Sequence, residues 1–69
     1  MSVYKVIELI GTSPNSWEDA TKIAIAQASK SVRDLRVAEV RQLDVTLDDS
    51  GQAMLFRAKL NVSFKYENS

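Results

Sequence analysis

The charged side chains of this sequence are carboxylates, guanidiniums and ammoniums, and it has no histidine and no cysteine. That absence removes imidazole bases, thiolate nucleophiles, disulfides and thiolate metal sites. The acids do not form pairs at a recognisable catalytic spacing, so proton transfer and nucleophilic attack have no obvious agents. The composition therefore predicts a protein that is not an enzyme.

The charged residues also balance, with nine Lys and Arg against nine Asp and Glu. Nucleic-acid binding normally requires a basic excess, so neither DNA nor RNA is an expected partner. The start of the chain, Met1–Lys5, lacks the basic region and apolar block of a signal peptide, and no apolar stretch is long enough to span a membrane. We expect a cytoplasmic protein with no membrane partner.

The apolar pattern predicts the elements that must position these groups. The segment Val3–Ile10 is rich in β-branched and apolar residues, which is typical of a strand partly buried on both faces. The turn formers Gly11–Asn15 follow, and Ser16 is a suitable N-cap for a helix that begins at about Trp17. Mostly small residues form one stripe of this helix, at spacings of three and four: Ala20, Ala24, Ala28, Ser31 and Leu35. Such a helix can lie close to a sheet but brings little apolar volume.

Two long strands are predicted after the helix, joined by the turn Asp48–Gly51, whose glycine is available for positive φ. The last strand is apolar at every second position from Met54 to Tyr66. The middle strand changes phase, which predicts a bulge or bend near Arg41–Gln42. We therefore predict a single α+β domain over residues 1–69, with the order β-α-β-β and a three-stranded antiparallel sheet wrapping one helix.

The predicted helix is too short to cover the predicted sheet. At ~3.4 Å per residue, a last strand of about 14 residues spans roughly 48 Å, whereas a helix of about 17 residues at ~1.5 Å per residue covers only about 25 Å. A lone subunit would leave an apolar patch that includes Phe56 or Phe64 in water. We therefore expect obligate self-association, which also suits a chain too short to bury a large core.

Three segments, together with the order of the elements, carry a resemblance that covers the whole chain: Tyr4–Pro14 with its Gly-Thr-Ser-Pro word, Leu35–Val40 and Val62–Lys65. On these segments the chain resembles the dodecin family. The resemblance implies a β-α-β-β subunit that assembles into a hollow homododecamer and binds or stores a small ligand or ion. Many members of the family store or sequester flavins such as riboflavin or FMN.

The resemblance places the ligand at Val37 and Arg57. Flavin-binding dodecins have at the first position a tryptophan that stacks on the isoalloxazine ring, and at the second a glutamine that hydrogen-bonds the polar edge of the flavin. Valine has no ring to stack, so these differences disfavour flavin as the cofactor. The alternative is that Val37 fills the volume of the missing indole and that Arg57 forms a salt bridge across the strands, with Asp44 or Glu39.

The words Ser16–Glu18 and Arg36–Ala38 are similar to those of the calcium-dodecin branch, which lacks the flavin-stacking tryptophan. That similarity implies calcium in place of flavin. Calcium takes about 6–8 oxygen ligands, and no single segment supplies them, so a site must pool groups from several segments or copies. The candidate metal ligands lie at the start of the helix and in the hairpin turn: Glu18, Asp19, Asp48 and Asp49. Their alternative roles are to complement the helix N-terminus and to form the turn.

The sequence thus predicts a non-catalytic dodecameric binding and storage protein of the calcium type. Two alternatives stand beside it: a flavin-sequestering dodecin and an assembly with no ligand of its own. The sole tryptophan, Trp17, is predicted to anchor the helix on the sheet, the alternative being a stacking platform for a ligand.

Overall fold

The computed structural model of the protein describes residues 2–66, so Met1 and residues 67–69 of the predicted domain lie outside the described part. Four elements follow one another: β1 (Tyr4–Ser13), α1 (Trp17–Ser31), β2 (Leu35–Leu47) and β3 (Ala53–Lys65). The strands form an antiparallel sheet in the order β1-β3-β2. The predicted β-α-β-β order and three-stranded antiparallel sheet are confirmed. No helix of the described residues is both long and apolar enough to cross a membrane.

The start of α1 is fixed by its cap. Ser16 has an extended backbone, and its Oγ accepts a hydrogen bond from the backbone N–H of Asp19 at 2.9 Å. This bond satisfies one of the free N–H groups of the first turn, so the helix begins at Trp17 as predicted. At the other end, Leu35 opens β2 and does not continue the helical stripe.

The core lies between one face of α1 and the central strand β3. The alanines of the predicted stripe, Ala20, Ala24 and Ala28, are buried against the sheet. On β3 the alternation is as predicted, because Ala58, Leu60 and Val62 are buried. The core is narrow because α1 supplies mainly methyl groups.

The phase change in β2 is explained by the predicted bulge. Val40 lies opposite Leu60 and Gln42 lies opposite Lys59, so Arg41 is an extra residue on β2. Because of this extra residue, apolar side chains at even positions before the bulge and at odd positions after it share the helix-facing side of the sheet. Two further register shifts, between Leu35 and Val37 and between Thr46 and Leu47, were not predicted.

The structure has an uncovered apolar surface, but its residues differ from those predicted. Phe56 and Phe64 are only partly exposed, and Trp17 packs on Phe56. Several aliphatic residues of β2 and β3 are more exposed: Val40, Leu43, Leu47 and Met54, which are 47–59% exposed. The molecule is 54 Å long and only 19 Å by 15 Å across, as expected when strands outrun their helix.

The first strand also differs from its prediction. Ile7 and Leu9 face α1, whereas Val6 and Ile10 are 60% and 54% exposed on the opposite face. In one chain β1 is therefore partly buried on one face only. A second copy is the simplest cover for the other face, as the apolar sequence of this strand indicates.

Candidate functional site

Arg57 and Asp44 form a two-point ion pair on the sheet face that points away from α1. The two residues lie directly opposite each other on β3 and β2. Arg57 Nε donates to Asp44 Oδ1 at 2.7 Å, and Nη2 donates to Oδ2 at 3.1 Å. The hydrogen bonds from Arg57 hold the pKa of Asp44 below its ordinary value, and those same bonds raise the pKa of Arg57. Of the two partners considered for Arg57, the structure places Asp44 against it, while Glu39 pairs with Arg41 at 3.2 Å.

Trp17 connects the start of the helix to this ion pair. Its indole Nε1 donates to the backbone carbonyl of Asp44 at 2.9 Å. Its ring meets Phe56 edge-on, with centroids 5.1 Å apart. The prediction that Trp17 anchors α1 on the sheet is therefore confirmed.

Val37 is far from Arg57 within one chain. It lies opposite Ser63 and is 61% exposed. Ser63 and Arg57 are six positions apart on β3, which corresponds to about 20 Å at ~3.4 Å per residue. A small ligand cannot touch both Val37 and Arg57 of the same chain, so a site with both residue types needs two copies.

The carboxylates of the strands on this face are each paired with a base. Lys59 Nζ lies 3.6 Å from Glu8 Oε2, and the other two pairs are those of Glu39 and Asp44 described above. A cation that used these oxygens would first have to displace a lysine or an arginine. This face of β1–β3 is thus an unfavourable place for calcium in the single chain.

The two acids at the start of α1 have different surroundings. Asp19 Oδ2 accepts a hydrogen bond from Ser13 Oγ at 2.6 Å, and Ser13 Oγ accepts one from the backbone N–H of Asn15 at 2.9 Å. Asp19 therefore helps to hold the turn between β1 and α1. Glu18 is exposed.

The hairpin acids also divide into one structural and one exposed residue. Asp48 Oδ1 accepts hydrogen bonds at 2.9 Å from the backbone N–H groups of Ser50 and Gln52 and from Ser50 Oγ. The bond from Gln52 is the main reason why the pKa of Asp48 is lowered. Gly51 has φ 84°, as predicted for this turn, and Asp49 is exposed.

One chain does not gather the four candidate metal ligands into a site. Glu18 and Asp19 belong to α1, whereas Asp48 and Asp49 belong to the β2–β3 turn. Within residues 2–66, no group of three or more acidic side chains is close enough together to hold a metal ion. In a symmetric assembly each of these acids recurs in every copy around an axis.

A groove between β1 and α1 was not predicted from the sequence. It has a volume of about 380 Å³ and a mostly apolar lining that includes Ile7, Ile10, Ile23 and Gln27. The sequence carries only a weak signal for this groove, because one residue beside the alanine stripe, Ile23, is apolar and another, Gln27, is polar. This groove lies along the open edge of the sheet, since β1 pairs only with β3.

Open sheet edges, half-exposed aliphatic strands and a helix too short for its sheet define a small subunit that associates with copies of itself. Residues 3–67 match the model of the Dodecin family. The chain belongs to the dodecin family, and the resemblance indicated by the sequence is confirmed. Membership of this family makes it a small-ligand-binding dodecin.

Two curated relatives are similar over nearly the whole chain. The calcium dodecin of Mycobacterium tuberculosis is 54% identical over 65 residues, covering 94% of this chain and 90% of the relative. The dodecin of Thermus thermophilus is 36% identical over 67 residues, covering 97% and 96%.

Solved structures share the fold. The crystal structure of the Mycobacterium tuberculosis calcium dodecin, described as calcium chelating with a novel calcium-binding site, matches with a TM-score of 0.85 and 51% identity over 99% of this chain and 96% of that one. The dodecin of Streptomyces coelicolor matches with a TM-score of 0.91 and 34% identity, with the same coverage.

Proposed function

We propose that this chain is a non-catalytic, homododecameric binding and storage protein with calcium-type specificity. The observation that carries the proposal is the ion pair between Arg57 and Asp44. It occupies the position where the family resemblance expects a neutral amide for the polar edge of a flavin. With its Nε and Nη2 donors on Asp44, Arg57 is a poor substitute for that amide.

Val37 also disfavours flavin as the ligand. It is an exposed aliphatic side chain with no π-system, so it cannot supply the stacking worth about 0.5–1.5 kcal/mol per aromatic pair beyond the buried area. The relative named calcium dodecin, at 54% identity, supports a hard cation as the ligand.

The calcium ligands that we propose are the acids at the helix start and in the hairpin: Glu18, Asp19, Asp48 and Asp49. The strand acids are less favourable ligands because each is paired with a base, as the contact of Glu8 with Lys59 illustrates. Neither the helix start nor the hairpin offers about 6–8 oxygens in one copy, so the site has to pool copies around a symmetry axis. The half-exposed Leu43 and Leu47 support assembly, since patches of this kind in soluble proteins mark association surfaces.

Thermal unfolding with and without metal tests the proposal. Calcium that binds the folded assembly adds RT ln(1 + [Ca]/Kd) to its stability, about 2.7 kcal/mol at one hundred times Kd. We expect the melting temperature to rise with the logarithm of calcium concentration, EDTA to reverse the rise, and magnesium at the same concentration to give a smaller one. An identical melt with and without calcium would rule out calcium and leave the flavin-binding and ligand-free alternatives.

Two substitutions locate the site without disturbing the fold. Glu18→Gln and Asp49→Asn remove one charge each from exposed side chains that form no hydrogen bond or ion pair within the described residues. At least one of them should weaken the calcium-dependent rise. Glu39→Gln is the matched control, because that acid is paired with Arg41 on the sheet. If calcium raises the melting temperature equally in the unmodified chain and in all three variants, Glu18 and Asp49 are not part of the site.

Flavin binding is the second candidate, and the exposure of Val37 favours it, since a ring could lie over this open part of the sheet. Riboflavin fluorescence decides the matter. A flavin-binding dodecin quenches added riboflavin, whereas we expect no quenching by the unmodified chain.

A further inference from the structure

We infer that Asp44 is the specificity-determining residue of the sheet face that carries Val37 and Arg57, because it holds the guanidinium of Arg57 away from a ligand. The inference rests on the proposed function, in which flavin is disfavoured on this face. It adds that the exclusion of flavin depends on a second residue beside the replacements at positions 37 and 57.

The geometry makes Asp44 an internal competitor for the ligand. Its carboxylate takes two parallel hydrogen bonds from one edge of Arg57, at 2.7 and 3.1 Å. Both side chains keep more than a third of their surface exposed, so a freed Arg57 would be within reach of a molecule on this face. The competitor is covalently part of the same sheet, which gives it a high effective concentration.

Asp44 is also held in place from behind. Its backbone carbonyl accepts the indole N–H of Trp17, and Trp17 in turn packs on Phe56 next to Arg57. Glu39 lacks such support: it contacts Arg41, two residues further along the same strand. Asp44 is therefore a fixed partner for Arg57.

The pairing of Asp44 with Arg57 indicates which class of ligand is excluded. A planar ring edge with neutral carbonyl oxygens is a weaker acceptor than an ionised carboxylate, so it cannot displace Asp44 from Arg57. Once the charge at position 44 is removed, the guanidinium can donate to such an edge. Asp44 thus acts against neutral heterocycles such as the isoalloxazine of riboflavin.

The test uses riboflavin as the probe in a background with a stacking ring. Val37→Trp supplies that ring, and the full assembly of this variant is compared with the Val37→Trp/Asp44→Asn double variant by fluorescence quenching. We expect the second substitution to tighten riboflavin binding about tenfold or more, as hydrogen bonds from charged donors are the stronger kind. Adding Arg57→Ala should abolish the gain, and Val37→Trp/Glu39→Gln should bind as Val37→Trp does.

The inference is overturned if the double variant binds riboflavin no better than Val37→Trp, or if the gain survives Arg57→Ala. Native mass spectrometry and circular dichroism show whether each variant is assembled and folded. Val37→Trp/Asp44→Ala provides a second removal of the carboxylate that keeps the backbone contact with Trp17, and no gain in either variant counts against Asp44. The result is independent of calcium, which is tested on the unmodified chain by melting.

Discussion

At the scale of single residues, the ion pair of Asp44 and Arg57 matters more for the orientation of the guanidinium than for the stability of the fold. Both side chains are partly exposed, and pairs of this kind contribute little to folding because water and salt screen them. Their two-point geometry nevertheless fixes where the guanidinium points. The sequence allowed Asp44 or Glu39 as the partner, and only the register of β2 against β3, shifted by the bulge at Arg41, decided between them.

Two lowered carboxylate pKa values predict how stability depends on pH. The pKa values of Asp44 and Asp48 are below the ordinary 3.8 because Arg57 and Gln52, respectively, donate hydrogen bonds to them. A group with a depressed folded-state pKa stabilises the fold above its unfolded pKa, and that stability is lost as the pH falls towards the folded-state pKa. We expect the melting temperature to decline from about pH 5 downwards.

The contribution of each carboxylate is measured by neutral substitution. Asp44→Asn and Asp48→Asn should each melt at a lower temperature than the unmodified chain at pH 7. Their melting temperatures should also decline less between pH 5 and pH 3, because each variant lacks one carboxylate whose protonation destabilises the fold. Asp49→Asn is the control, since this exposed neighbour lies outside both hydrogen-bond networks. Parallel melting curves for all variants across this range would contradict the assignment.

At the scale of elements, the contact between β1 and α1 depends on Gly11. A Cβ on this residue would collide with the backbone carbonyl oxygen of Ala20 and lie 2.9 Å from Ala24 Cβ. The strand can pass this close to the helix only because position 11 has no side chain and the helix presents alanines. Glycine in the Gly-Thr-Ser-Pro word is thus required by packing.

Gly11→Ala should accordingly lower the free energy of unfolding by about 1–3 kcal/mol or more, since an added carbon forces helix and strand apart. Urea denaturation measures the loss. Ala26→Ser adds one heavy atom to the exposed side of the same helix and should change stability by no more than about 0.5 kcal/mol. Equal effects of the two substitutions would show that the helix and strand separate freely at this point.

Local signals in the sequence predicted the elements well, and the contacts between them poorly. The cap at Ser16 gave the start of α1, and the phase change in β2 gave the bulge at Arg41, because each is encoded by neighbouring residues. The bond from Trp17 to Asp44 joins residues 27 positions apart, so it depends on how α1 folds back across the sheet. The candidate calcium site was still less predictable, since the acids among residues 2–66 of one chain do not form it.

At the scale of the whole molecule, the subunit is an incomplete structure. The helix covers only part of a molecule 54 Å long, and both outer strands, β1 and β2, have one unpaired edge. Val37 and Arg57 are too far apart to share a small ligand in one chain. Assembly is therefore expected to complete both the apolar core and the ligand-binding face, so that the ligand is bound by the oligomer and not by the subunit.

A charged substitution at Leu43 tests most directly whether the subunit depends on assembly. Leu43 is 47% exposed on β2, so in the subunit alone a charged residue there would cost little. In the assembly we expect a neighbouring copy to cover the same position, where an unpaired lysine ammonium would be expensive to desolvate. We expect Leu43→Lys to shift native mass spectra from the dodecamer to smaller species and to make the melting temperature of what remains strongly dependent on protein concentration. Ala26→Lys, on the exposed side of α1, should leave the dodecamer intact. A Leu43→Lys protein that keeps its mass and melts like the unmodified chain would show that the exposed end of β2 faces solvent in the assembly.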